Sequence, residues 1–249
     1  MITDWFFYAV AVPAVLLLGL SKSGFLSGFG SLAVPIVALA VPVPQAAAIL
    51  LPCLCLMDLV GQGLMWRSID RALIRFILPF GLLGTVVGTL VFKLVDAQLV
   101  AGLTGVFALL FLAQRLAFPP QADAKPLPRW AGGVLCVTSG FTSFVAHAGG
   151  PPLYPYVLPL RLAPLAFSAT MGTFFMAINL SKWLPYSYLG LLDWRNLSTS
   201  FALLPLAPVG VLVGVWLTRR ISGASFYAIL NVGMGLTGCK LVWDGFFSR

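Results

Sequence analysis

Charged residues are scarce in this sequence, and glutamate is absent from it. Only 9% of the 249 residues are charged, whereas an ordinary soluble domain carries about 25%. The 15 Lys and Arg exceed the seven acidic residues, but they lie beside the ends of apolar segments and form no run. That placement argues for orientation in a membrane and against a nucleic-acid partner. With a mean hydropathy of +1.00, these deficits exclude an ordinary water-soluble protein.

Motifs for metal, redox or dinucleotide chemistry are also missing. The four cysteines lie in apolar segments, and Cys53 and Cys55 are one residue apart, which fits neither a CxxC redox pair nor a zinc site. We expect them to pack as small apolar side chains. The stretch Gly233–Gly238 matches GxGxxG by letter, but no strand precedes it. We therefore expect no cofactor and no bound metal.

Apolar stretches long enough to cross a bilayer recur along the chain. About 20 apolar residues span the roughly 30 Å of hydrocarbon. Met1–Tyr8 lacks the basic start of a cleaved signal peptide, so we expect the N-terminus to stay attached. The six clearest stretches are Gln45–Met65, Ala72–Phe92, Leu99–Leu116, Pro164–Leu184, Leu197–Leu217 and Gly223–Val242. They predict an all-α, multi-pass integral membrane protein.

A spaced pattern of proline, two glycines and a terminal base occurs twice, at an offset of 126 positions. Other glycines and prolines upstream match at an offset of 120. We predict two homologous repeats, an N-terminal repeat of residues 1–117 and a C-terminal repeat of residues 130–249, joined by a polar, proline-rich linker of residues 118–129. The matched residues are Pro79, Gly84, Gly88 and Lys93 with Pro205, Gly210, Gly214 and Arg219, and Gly30, Pro35 and Pro44 with Gly150, Pro155 and Pro164.

Each repeat opens with two short apolar pieces. They are Trp5–Leu20 and Gly24–Ala40 in the first half, and Trp130–Ala146 and Pro151–Leu160 in the second. Because each piece is short for a crossing, we predict a broken, re-entrant hairpin followed by three transmembrane helices. Irregular backbone at membrane depth must be buried in protein or line a watery cavity. The hairpin tips are therefore the predicted transport site.

Three crossings per repeat predict that the two halves are inverted relative to each other. Arg67–Arg75 contains three arginines, whereas its counterpart Ser187–Asn196 has Arg195 balanced by Asp193. By the positive-inside rule, the arginine-rich loop is cytoplasmic. We expect the linker on the same side, both termini outside, and the protein in the cytoplasmic (inner) membrane.

The first hairpin carries a lysine at its tip. A charge at the centre of a membrane helix costs about 2.5–3.5 kcal/mol on insertion scales, so we expect Lys22 to have a role that offsets this cost. A helix that begins after it would offer free N–H groups to an anion, and its glycines would let the anion approach the backbone. The alternative is that Lys22 snorkels to an interface. The predicted anion-binding residues of this hairpin are Ser21, Lys22, Ser23, Gly24, Ser27, Gly28 and Gly30.

The second hairpin carries the only histidine. His147 holds the position related to Lys22, next to Ser143, Gly149 and Gly150, and we predict that these four residues complete the site. An imidazole titrates near neutral pH, which suits a proton-linked step and favours protons as the coupling ion. The alternative is an ordinary polar residue with satisfied hydrogen bonds.

A coupling group is predicted in the spans that follow. Asp58 lies mid-span, an offset of 121 aligns it with Asn179, and Lys182 follows within a turn. One interpretation is an Asp58–Lys182 ion pair, either structural or part of a proton relay, and the alternative is that Lys182 snorkels to the interface near Pro185.

Two other functions are weaker. A cation or metal carrier would use Asp58, His147, Cys53 and Met57 as ligands, but one midspan acid among several bases suits a cation poorly. Ser143 and His147 are one helical turn apart, yet no nucleophile motif surrounds them, so we predict no enzyme activity.

Two glycine-rich segments resemble the paired signatures of the sulfite exporter TauE/SafE family. They run from Ser21 to Pro35 and from Gly140 to Pro152, and the likeness covers nearly the whole chain. The resemblance implies a duplicated membrane permease that exports sulfite or a small organosulfonate and works in the lipid bilayer. Homo-oligomer formation is left open. The sequence departs from the usual signatures at Phe144 and His147, where glycine is common, and at Ser31.

Overall fold

The computed structural model describes residues 1–22, 29–117, 125–218 and 223–247. Over these residues the chain forms α-helices and short 3-10 turns and contains no strand, which confirms the all-α prediction. The helices are α1 (Trp5–Lys22), α2 (Ala33–Val37), α3 (Val43–Met65), α4 (Arg71–Leu94), α5 (Ala97–Ala117), α6 (Arg129–Ala146), α7 (Gly150–Val157), α8 (Pro164–Ser181), α9 (Trp183–Tyr188), α10 (Trp194–Leu203), α11 (Leu206–Thr218) and α12 (Gly223–Phe246).

Four helices are long and apolar enough to cross a membrane in the described part of the chain. They are α1, α3, α4 and α5, and α10 with the first part of α11 forms a fifth candidate that is bent by 41°. The chain is therefore a multi-pass membrane protein. Helix α1 has 18 residues, about 27 Å at 1.5 Å per residue, so by itself it is a candidate span close to the expected minimum length. The second piece of the first hairpin contains only the five-residue α2 and a 3-10 turn in its described part.

Two predicted spans are interrupted in the structure. Pro164–Leu184 breaks at Lys182, between α8 and α9. Leu197–Leu217 breaks before Leu206, next to Pro205, which has no N–H for a continuous helix. The predicted span Gly223–Val242 is instead a single helix, α12.

Helix α3 is the centre of the fold. In its apolar window 72% of the residues are buried, compared with 28–39% in the other three candidate spans. It packs against α8, α10 and α1, and the largest apolar core cluster surrounds its first half. Most side chains of α3 are thus buried within the bundle, although Leu59 and Val60 near its C-terminal end are exposed.

Acidic side chains cap the helices that follow two loops. Asp70 accepts hydrogen bonds from the N–H groups of Ala72 and Leu73, both at 3.0 Å, at the start of α4. Asp193 accepts from the N–H of Asn196 at 2.6 Å at the start of α10. These caps satisfy N–H groups that lack a partner within the helix.

Glycines let the outer helices approach their partners closely. A Cβ added at Gly84 of α4 would collide with the carbonyl oxygen of Val137 on α6, and one at Gly140 of α6 would collide with that of Gly81. Helices α1 and α11 meet in the same way at Gly19 and Gly210. Close approach of helices at small residues is typical of membrane proteins.

Candidate functional site

The C-terminal end of α1 lies against α3, away from the ends of that helix. Its last residue, Lys22, forms an ion pair with Asp58 of α3. Asp58 lies seven residues before the end of α3, which corresponds to about 10 Å along the helix axis. The Asp58 side chain is 1% exposed and the Lys22 side chain 24%, so the lysine is the partner that reaches open space.

A hydrogen-bonded chain continues from this ion pair into the second half of the protein. Asn179 of α8 donates through Nδ2 to Oδ2 of Asp58 at 2.7 Å, and its Oδ1 accepts from Nζ of Lys182 at 2.9 Å. The predicted direct Asp58–Lys182 pair was wrong, because Asn179 lies between them and Lys22 takes the other carboxylate oxygen. One amide thus bridges an anion and a cation with both of its ends.

Lys182 is fully buried at the break between α8 and α9. Besides Asn179, its Nζ donates to the carbonyl oxygen of Ser143 at 2.6 Å, donates to Oγ of Ser143 at 2.9 Å, and lies 3.0 Å from Nδ1 of His147. An ammonium has three donors and no acceptor, and all four partners can accept. The surroundings therefore match a charged lysine.

His147 adopts a backbone conformation that favours glycine. It follows α6 with φ 52° and ψ 27°, in the left-handed region, where few residues other than glycine lie. Its Nε2 lies 2.9 Å from the carbonyl oxygen of Ala47, which can only accept. Nε2 therefore carries the proton and Nδ1 presents its lone pair to Lys182. These bonds offset a strained backbone.

Hydroxyl groups of α6 satisfy the irregular backbone after His147. Ser139 donates to the carbonyl oxygen of Gly149 at 2.6 Å, and the hydroxyl of Thr142 lies 2.9 Å from the carbonyl oxygens of both Ala148 and Thr138, which share its one hydrogen. Both hydroxyls are buried. Lipid cannot satisfy such carbonyl groups, so these bonds allow the chain to break at membrane depth.

The two broken segments meet at a cavity of about 90 Å³, well above the roughly 10–15 Å³ that holds one water. It lies between the end of α1, the start of α7 and the middle of the bundle. Its lining residues are Leu18, Ser21, Lys22, Gly30, Ser31, Leu54, Ser143, His147, Gly150, Pro151, Tyr154, Phe175 and Asn179. We call this space the central cavity.

The sequence model of one family, described as Sulfite exporter TauE/SafE, matches residues 11–241, nearly the whole chain. The protein belongs to the sulfite exporter TauE/SafE family. Neither a search of curated proteins nor a search of solved structures gave a match. Members of this family are membrane transporters and not enzymes.

The structure brings residues of both TauE/SafE signatures to the central cavity. The predicted residues that line it are Ser21, Lys22, Gly30, Ser143, His147, Gly150 and Asn179. Gly149 is buried behind it, with its carbonyl bonded to Ser139. Ser23, Gly24, Ser27 and Gly28 lie outside the described residues.

The helix that follows the second signature offers fewer donors than expected. Helix α7 begins at Gly150, and its next two residues, Pro151 and Pro152, have no N–H group. The anion-binding capacity of this end thus depends on side chains more than on the backbone. Tyr154 and Phe175, which line the cavity, were missed because nothing in the sequence distinguishes them from packing aromatics.

The geometry does not favour the two weaker functions. Both oxygens of Asp58 are already bonded, and in the described residues no three His, Cys, Asp or Glu form a metal-binding group. Both ring nitrogens of His147 face Ala47 and Lys182, so neither is left to activate Ser143 as a nucleophile.

Proposed function

We propose that this protein is a secondary transporter that exports sulfite or a small organosulfonate anion, which it binds in the central cavity. The observation that carries the proposal is the composition of the hydrogen-bonded chain, in which two lysines, Lys22 and Lys182, are linked to a single carboxylate, that of Asp58. With His147 neutral, the cluster has an excess positive charge inside the bundle. An uncompensated charge is costly at membrane depth, and a bound anion would neutralise it.

Lys22 is the group best placed to contact the substrate. It lines the cavity and is partly exposed, whereas Lys182 is fully buried behind Ser143 and His147. Ser21, on the same helix end, and Ser143, on α6, add hydroxyl groups to the lining. A charged donor with neutral donors beside it suits an oxyanion with several acceptor oxygens.

We also propose two inverted repeats, residues 1–117 and 130–249, with residues 118–129 as linker. Reciprocal packing supports this: α1 packs on α11 as α6 packs on α4, while α3 pairs with α8 and α5 with α12. The closest approaches are equivalent too. Gly84 and Gly140 lie at the contact of α4 with α6, and Gly210 and Gly19 lie at the contact of α11 with α1.

The starts of α1 and α6 support inversion. Ile2, just before α1, donates to Thr199, whose neighbour Ser200 donates to the carbonyl of Ile49 in the first turns of α3. Arg129, which begins α6, lies over Phe76 near the start of α4, beyond the other end of α3. The two hairpins therefore enter from opposite ends of α3.

Protons are the coupling ion that we propose. Four titratable groups, Lys22, Asp58, Lys182 and His147, are joined through Asn179 and direct contacts into one chain beside the cavity. A substrate anion that competes with Asp58 for Lys22 would change the proton affinity of this chain. We place the protein in the cytoplasmic (inner) membrane, where a proton gradient is available.

The test is flux in proteoliposomes that contain sulfite, sulfoacetate, taurine or sulfate, each with and without a pH gradient. We expect sulfite or a sulfonate to leave the vesicles, faster with the gradient. Lys22→Met should lower that flux about 10- to 100-fold, the loss of one charged hydrogen bond. Lys240→Met, which removes an exposed lysine paired with Asp244, is the matched control and should keep it. Flux of a divalent cation but of no anion would overturn the proposal.

A further inference from the structure

A second cavity of about 110 Å³ lies between the last turns of α3 and the first turns of α8. It shares Ser21, Lys22, Tyr154 and Phe175 with the central cavity. Nζ of Lys22 lies 5.7 Å from the ring centre of Phe175, so these two residues form part of the wall between the cavities. The chemistry of the second cavity is set by the residues it does not share.

Asp58, Ser168 and Gln62 are the polar residues that line the second cavity and not the central one, and the one with an unpartnered buried atom is Gln62. It is 7% exposed, and its Nε2 donates to the carbonyl oxygen of Ala169 at 2.9 Å and to Oγ1 of Thr173. Thr173 uses its own hydrogen on the same carbonyl of Ala169, at 2.8 Å. Turning the amide over would set its oxygen against another carbonyl oxygen, so the orientation of Gln62 is fixed.

The other end of this amide has no donor. Oε1 of Gln62 is buried and accepts no hydrogen bond in the described part of the protein. It lies beside Gly172, which also lines the second cavity. A buried carbonyl without a donor is rare and costly, and a ligand that carries an O–H or N–H group would satisfy it.

We propose that the second cavity binds the organic end of the transported anion, whose hydroxyl or ammonium group donates to Oε1 of Gln62 while Lys22 holds the acid group. The inference rests on the proposed function. Gln62 follows Asp58, the partner of Lys22, by four residues, so the two lie on one face of α3 with Cβ atoms about 5–6 Å apart. A chain of about two carbon atoms between acid and donor fits that spacing.

The remaining lining sets the charge of this substrate. Lys22 is the only cation among the described lining residues, and its charge is shared with Asp58. A second acid group in this cavity would therefore be unpaired, which is costly. The rest of the wall includes thioethers and aromatic rings that tolerate a methylene chain, namely Met57, Met65, Met171, Phe167 and Phe175. The substrate thus carries one acid group and one donor group.

Competition for sulfite efflux from proteoliposomes tests the inference. The matched pair is 2-hydroxyethanesulfonate and propane-1-sulfonate, which have the same number of heavy atoms and differ in the donor; sulfoacetate adds a second charge. In the parent protein, the hydroxyl compound should inhibit about three- to tenfold better than the alkyl compound, the range of one hydrogen bond, and sulfoacetate should inhibit least.

Gln62→Met should abolish the preference for the hydroxyl compound and leave inhibition by propane-1-sulfonate within about twofold. Met171→Leu, which changes another wall residue and no polar group, should keep the preference. Because the readout is a ratio within each variant, partial loss of folded protein does not affect it. Equal inhibition by the pair in the parent, or a preference that survives Gln62→Met, overturns the second site. If the parent moves no anion, the proposed function itself fails.

Discussion

At the scale of single residues, the ion pair of Lys22 and Asp58 links two segments that are distant in sequence. Lys22 was expected at the transport site because a lysine at a broken hairpin needs a partner. Its partner was not evident, because 20 residues separate α1 from α3 and the sequence does not specify how the two helices pack. Asp58 was assigned instead to Lys182, and the structure places Asn179 between them.

A double-mutant cycle measures this pair. Lys22→Met and Asp58→Asn should each lower the free energy of unfolding in detergent, because each leaves one charge without its partner. The double variant should lose about 1–3 kcal/mol less free energy of unfolding than the two single variants lose together. Losses that add to within about 0.5 kcal/mol would show that the pair is not coupled.

The backbone of His147 gives a second prediction. His147→Gly and His147→Ala both remove the acceptor of Lys182, but only glycine adopts φ 52° without strain. The glycine variant should therefore be more stable than the alanine variant, by about 1 kcal/mol in the free energy of unfolding. Thermal unfolding in detergent would detect this difference, and equal midpoints would contradict the assigned backbone conformation.

At the scale of helices, close packing through glycine decides which elements touch. Gly84→Ala should destabilise the protein by about 1–3 kcal/mol, because the new Cβ would meet the Val137 carbonyl and lie 2.8 Å from N of Phe141. Gly233→Ala is the control, since nothing lies within 4 Å of that Cβ, and it should be neutral or stabilising by up to about 1 kcal/mol. If both variants lost the same free energy of unfolding in detergent, the α4–α6 contact would be excluded as the cause of the loss in Gly84→Ala.

Helix breaks were harder to infer than helices. Apolar length identified α3, α4 and α5 as spans, because hydrocarbon favours any continuous apolar helix of sufficient length. Pro185 lacks the N–H that would bond the Ser181 carbonyl at the break at Lys182, and Pro205 lies in the other break, whereas Pro79 and Pro52 lie within continuous helices. Whether a proline ends a helix depends on the neighbours that satisfy the freed carbonyl.

At the scale of the whole molecule, inverted repeats predict opposite sides for the two entry points. We expect single cysteines at Thr3 and at Leu127, both exposed, to be labelled by a membrane-impermeant maleimide from opposite sides of the membrane. The background carries Cys239→Ser, because Cys239 is the exposed native cysteine among the described residues. Labelling of both positions from one side would contradict inversion.

The sequence by itself determined the solvent, the helices and the family, because composition, apolar length and spaced glycine motifs are local properties of the chain. It also placed a lysine and a histidine at the breaks, where charge at membrane depth needs a reason. Only the tertiary structure decided which groups face each other: Lys22 with Asp58, and Lys182 with His147. It also decided that Oε1 of Gln62 is buried without a donor in the described part of the protein. These contacts join residues 35 to 36 positions apart, or α3 to α8. They depend on the angles and positions at which the helices cross. Tertiary packing determines that geometry, and no local sequence pattern predicts it.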